Sequence, residues 1–168
     1  QSMKEIAEKL GMTEEEMKEL QESISNLEEE KMKLSEELAE KIFHPIYGTP
    51  MDELFSRYMY YERALKEIKS STTEALRKFY ERDGYKLLQS TATFENLKLL
   101  ASFWNDVSNQ NKERFSDKVL RRLFVLNYAP NSMWTYFTSV YFMHYKDEDG
   151  SLEDDKFYTF LCKTTAFV

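Results

Sequence analysis

Residues 13–42 read TEEEMKELQESISNLEEEKMKLSEELAEKI, and this stretch decides the fold class. Met17, Leu20, Ile24, Leu27, Leu34, Leu38 and Ile42 recur at spacings of three, four and seven, with only Lys31 interrupting the row. That period belongs to a helix and not to a strand. Sustained over about three to four heptads, it suits a helical arm or a short coiled coil. Thr13 and Glu16 form a capping box, and Glu14, Glu15 and Glu16 complement the positive end of the helix dipole. A helix of about 30 residues is about 45 Å long. The rest of the chain, once packed, has a radius of gyration near 14 Å. The helix therefore crosses the whole body or projects beyond it, and the spacing leaves both open. Leu20, Ile24, Leu27, Leu34 and Leu38 are expected to be buried, with Glu15, Glu22, Glu29 and Glu36 facing solvent. Leu27→Ala is then expected to weaken the fold far more than Glu29→Ala.

The surroundings of this helix divide the chain in two. Ser2-Met3-Lys4-Glu5 is another capping box, opening a shorter helix that Gly11 closes. Residues 1–42 hold 6 Lys and 13 Glu and no aromatic residue, whereas residues 43–168 hold 17 basic and 17 acidic residues and every aromatic. The division expected is an acidic helical arm over 1–42, a short helix and then a long amphipathic one, followed by a helical body over 43–168. Phe43 to Pro50 contains Pro45 and Pro50 and reads as the hinge between them.

The body shows a series of shorter amphipathic helices with visible stops. Thr49-Pro50-Met51-Asp52 starts the first, with Leu54, Phe55, Tyr58, Tyr61, Leu65 and Ile68 at helical spacing. Ser71 to Glu74 caps the next, which ends at Asp83-Gly84; Thr93 caps a third and Ser116 a fourth, which stops by Ala129-Pro130. Met133 to His144 forms a fifth, and Ser151-Leu152-Glu153-Asp154 opens a last helix through Leu161. No segment alternates with period two for long. The fold class expected is all-α: one long N-terminal heptad-like helix plus a multi-helix, aromatic-rich bundle. Twelve Phe, eleven Tyr and two Trp supply material for its core, and core packing is the expected role of the Tyr58-Met59-Tyr60-Tyr61 run.

Several function classes find no support in these residues. One Cys allows no intramolecular disulfide and no multi-thiolate zinc site, and Cys162, in Phe160-Leu161-Cys162, reads as a buried thiol. A net charge of −7 argues against a generally phosphate-binding surface. No apolar run approaches the roughly 20 residues that span a bilayer, so no membrane partner and a cytoplasmic location are expected. Ile6-Ala7, Gly11 and Met17 imitate a helix-turn-helix, but the following helix presents Glu14, Glu15, Glu16, Glu19 and Glu22 against Lys18, which repels phosphate. Arg114, Lys118, Arg121 and Arg122, at i, i+4 and i+7/i+8, form a modest basic patch able to touch a nucleic-acid backbone. Glu113 and Asp117 beside them fit a solvated face with local ion pairs equally well. His144 with Asp147 or Glu148 offers two metal ligands one turn apart and no more. Walker, Gly-x-Gly-x-x-Gly and Gly-x-Ser-x-Gly patterns are missing. No catalytic, metal-binding or cofactor-binding residue is expected, and no enzymatic activity of this chain.

Four stretches carry a family resemblance: Leu54 to Arg63, Thr72 to Glu81, Thr93 to Leu97 with Phe103-Trp104, and Leu120 to Trp134. Together they resemble the helical middle region of bacterial GmrSD-like type IV restriction proteins, over about residues 40–168. That family joins a ParB/sulfiredoxin-like nuclease–NTPase domain to a helical stretch, often followed by an HNH nuclease domain, and its members cut modified foreign DNA. Neither the Asp-Gly-Gln-Gln-Arg-type motif nor an HNH motif stands in this sequence, so no catalytic residue is carried over. Gln1 at the start and apolar Ala166-Phe167-Val168 at the end lead to the expectation of an excerpt truncated at both ends, and the resemblance implies a non-catalytic module supporting or coupling nuclease domains of its parent chain. Contact with DNA by this segment is then weak if present. The alternative is a helical protein–protein scaffold using the 17–42 apolar seam, with self-association through the long helix as one form of it.

Overall fold

The computed structural model describes residues 5, 8, 9, 11–43, 50–70 and 75–168, the side chains of 37–43 and 50 excepted. From Glu14 onward, seven α-helices follow one another among the described residues: α1 (Glu14–Phe43), α2 (Pro50–Leu65), α3 (Leu76–Tyr85), α4 (Thr91–Ser108), α5 (Asp117–Leu126), α6 (Met133–Tyr145) and α7 (Asp154–Phe167). A 3-10 turn, Lys86–Gln89, joins α3 to α4. No strand occurs among the described residues. The chain is all-α, a long N-terminal helix followed by an aromatic-rich bundle.

Local chemistry explains most of the boundaries. At the start of α1 the capping box closes in both directions: the Glu16 amide donates to Thr13 Oγ1 and the Thr13 amide to Glu16 Oε2, each at 3.2 Å. Ser116 caps α5 by accepting from the Val119 amide at 3.4 Å. The same Ser116 hydroxyl donates to Asp154 Oδ2 at 2.8 Å, tying the start of α5 to the start of α7. Other boundaries move. α2 ends at Leu65, and Glu67 with φ +52° turns Ile68 off the helix axis. α4 begins at Thr91, two residues before the expected cap, so Thr93 lies buried in its first turn. Ser151 caps nothing; its amide donates to Asp147 Oδ1 at 2.8 Å and closes the turn before α7. Ser2 and Ser71 to Glu74, read as caps, and the hinge over 44–49 lie outside the described residues.

The core forms where α4, α6 and α7 meet. Phe103 is fully buried and stacks on Phe142 at 4.3 Å between centroids, with interplanar angle 17°. Trp104, Phe115 and Phe157 meet the same ring edge-on, 5.3 to 6.0 Å away. Edge-to-face and offset arrangements suit the quadrupoles of the rings and add to the apolar burial. On α6, Thr138 and Ser139 are also wholly buried, which their hydroxyls allow by donating to the Trp134 and Thr135 carbonyls, each at 2.7 Å. Tyr58 and Met59 pack in the same core, so the Tyr58 to Tyr61 run serves packing.

The burial expected for the seam of α1 is corrected. Leu20 is 44% exposed, Ile24 47%, Leu27 63% and Leu34 66%. Leu38 lies outside the described side chains, Met17 is buried, and Glu15, Glu22, Glu29 and Glu36 face solvent as expected. α1 meets the body along another row. Gln89 reaches Met32 Sδ at 3.6 Å, and Ser35 is buried. Gly84, at φ +63°, sits so close that an added Cβ would lie 3.0 Å from Met32 Cε. At 100° per residue, Leu27 and Leu34 point about 140° to 160° around the helix from Met32. Periodicity identified the stripe; it carried no information about what would cover it. Phe103→Ala should therefore cost about 3–5 kcal/mol, whereas Leu27→Ala should stay within about 0.5 kcal/mol of the parent, as Glu29→Ala does. Thermal melts of the three variants check this, and a Leu27→Ala loss comparable to that of Phe103→Ala would contradict it.

Candidate functional site

The basic residues singled out in the sequence do not share one helix face. Arg114 precedes the Ser116 cap, in the loop between α4 and α5, and turns inward. Its Nη1 donates to Asp106 Oδ2 at 2.9 Å and its Nη2 to the Gly150 carbonyl. The guanidinium lies 5.5 Å from the Phe103 ring centroid and 5.8 Å from those of Phe115 and Phe142. Lys118 pairs with Asp155 and lies 3.9 Å from Asp154. Arg122 lies over the Tyr158 ring at 6.0 Å. Arg121 is exposed. Arg114 thus clasps the α4–α5 and α6–α7 loops, while Lys118 and Arg122 face α7.

Other titratable groups are distributed through the packing. Tyr58 donates to Glu62 Oε1 at 2.8 Å inside the core, and burial pushes its phenol well above the usual tyrosine range. Glu62 also lies 3.8 Å from Lys66 on the next turn. His144 is exposed and edge-on to Tyr145, and Cys162 is half-buried rather than enclosed. Among the described residues no three His, Cys, Asp or Glu side chains come together to hold a metal ion. No described helix is long and apolar enough to cross a membrane.

A cleft that sequence reading missed lies between α2, the C-terminal end of α4, α5 and the loop leading into α6. Its volume is about 640 Å³. Arg57 of α2 lies over the Trp104 ring at 4.1 Å and donates to Glu53, one turn earlier, at 3.3 Å. Burial lowers the proton affinity of Arg57, and Glu53 beside it partly offsets this. Trp104 meets Trp134 of α6 edge-on at 5.6 Å, and its indole N–H donates to Ser139 Oγ at 2.9 Å. Arg57, Trp104 and Trp134 are far apart in sequence and no local spacing links them. Residues of α2, α4, α5 and the loop before α6 line the cleft together.

No protein family, curated protein or solved structure matches this chain.

The Arg114 clasp has a pH signature. Asn111 and Arg114, by donating to Asp106, hold its carboxyl below the usual carboxylate range. A depressed acid stabilises the fold above its unfolded value near about 3.9 and loses that contribution as pH falls through the folded value. Asp106→Asn should lower stability at pH 7 and flatten the decline below about pH 4. Melting temperatures of both proteins across that range test this; parallel acid limbs would contradict it.

Proposed function

We propose that this chain is a non-catalytic helical interaction module that offers the seam of α1 to a partner helix. The observation that carries this reading is the exposure of Leu20, Ile24, Leu27 and Leu34 along one row of a 30-residue helix. An apolar stripe at heptad-like spacing suits a helix laid alongside it. Charge narrows the choice of occupant. α1 carries eleven Glu against four Lys, so a second copy would bring a like-charged segment against it. A partner helix with apolar a and d positions flanked by Lys or Arg meets the same surface with complementary charge.

The resemblance to GmrSD-like helical regions supplies a setting for this module. There the partner surface belongs to nuclease-bearing domains of a DNA restriction protein, and the module couples them without touching the chemistry. The gene around Gln1 decides it, because a parent protein without nuclease-type domains would remove the setting while leaving the docking reading intact.

Two synthetic heptad peptides test the docking reading, one flanked by Lys and one by Glu. The Lys-flanked peptide should bind in a salt-sensitive manner, the Glu-flanked one should not, and the chain alone should sediment as a monomer. The double variant Leu27→Glu, Leu34→Glu should weaken binding at least about tenfold. Undiminished binding by that more acidic variant would mean that charge alone holds the peptide and would overturn the reading. A stable dimer of the chain would assign the seam to a second copy instead and overturn the choice of partner.

A further inference from the structure

We propose that the cleft bounded by Arg57, Trp104 and Trp134 binds a small organic monocarboxylate with an apolar body. No residue of α1 lines it, so this proposal stands apart from the docking reading. The Arg57 guanidinium carries the argument. Its side chain is only 15% exposed, and one face is covered by Trp104 at 4.1 Å. A guanidinium has five N–H donors. Among the described residues Arg57 makes one hydrogen bond, to Glu53 at 3.3 Å, and Glu53 is itself 67% exposed. A charged donor drawn out of water without an acceptor in its place carries a desolvation cost. Cations withdrawn this far from water are ordinarily met by acceptors. Arg57 instead borders a cleft of about 640 Å³, within the usual range for small-molecule sites.

The lining narrows the ligand. A carboxylate matches the planar fork of arginine with two parallel hydrogen bonds. Glu53 and Arg57 are the charged side chains of the lining, so the cleft is neutral as it stands. A monoanion adds one negative charge beside one fixed cation, with Glu53 free to swing outward from its exposed position. A dianion such as phosphate brings more negative charge than a single arginine offsets. Val107, Leu120, Phe124 and Pro130 form one side of the lining, with Phe124 51% exposed for a ligand body to cover, and Gln110, Asn127 and Asn131 add amides beside them.

The chain's two tryptophans both border the cleft, so intrinsic fluorescence reads it directly. The intact chain is titrated with phenylacetate and 4-methylpentanoate, with the corresponding neutral alcohols, and with inorganic phosphate. Both acids should give a saturable change with millimolar affinity, and the alcohols should bind at least about tenfold more weakly. Arg57→Gln should abolish the preference for the acid, and Glu53→Gln should tighten acid binding. The comparison of acid with alcohol on the parent chain needs no variant, so it stands even if Arg57→Gln fails to fold. Equal binding of acid and alcohol, or no saturable change up to about 30 mM acid, would overturn the proposal. So would undiminished acid binding by folded Arg57→Gln, or phosphate binding as tightly as phenylacetate.

Discussion

The Phe103 ring is the contact on which the rest of the body depends. It receives Phe142 face-on and Trp104, Phe115 and Phe157 edge-on, so α4, α6, α7 and the loop before α5 are all fixed relative to one side chain. Arg114 sits over the same cluster and converts it into a clasp, because its two arms hold Asp106 at the end of α4 and the Gly150 carbonyl before α7. A cation over a ring cluster and a charge-assisted hydrogen bond reinforce one another where water is scarce. The cleft is a consequence of this arrangement. With Trp104 next to Phe103 and anchored to Ser139, its indole face is presented to α2, where Arg57 covers it.

α1 obeys a different constraint. A helix of 30 residues cannot bury its full length against a body of this size, so its contacts concentrate near Met32 and Ser35. At the C-terminal end of α3 the helix is broken: Asp83, Gly84 and Tyr85, at φ +52°, +63° and +60°, form a left-handed turn that brings the backbone up to Met32. A bulkier residue at Gly84 would meet both the backbone cost of that conformation and the Met32 methyl. Leu27 and Leu34 are left turned away from the body, flanked by glutamates. Exposed apolar rows of this length on a charged helix are the features by which helices recognise one another.

How much of this was legible in the sequence follows from the range of the interactions. The Thr13–Glu16 capping box, the extent of α1 and the Ser116 cap depend on residues three or four apart, and these were readable. The all-α class followed from periodicity, and the aromatic core from composition. Cover for the seam was not readable, since a heptad row reports amphipathicity and not the partner. The buried face of α6 was only partly readable, because Thr138 and Ser139 hide their polarity by bonding one turn back. Arg114 read as a member of a basic patch because charge is visible in a sequence, while its position ahead of the Ser116 cap decides where it points. The pairing of Arg57 with Trp104 spans 47 positions and leaves no local trace. The reading as a docking module rests on exposure, which only the fold supplies.

Native-state hydrogen exchange of the intact chain tests the central claim, that the body is held by the Phe103 cluster while α1 is anchored to it near Met32 and Ser35. Amides of 100–104 in α4 and 139–143 in α6 should exchange only through global unfolding, and those of 18–30 in α1 should open at free energies several kcal/mol lower. Protection of α1 equal to that of α4 would mean that the seam is already covered, and would contradict the account.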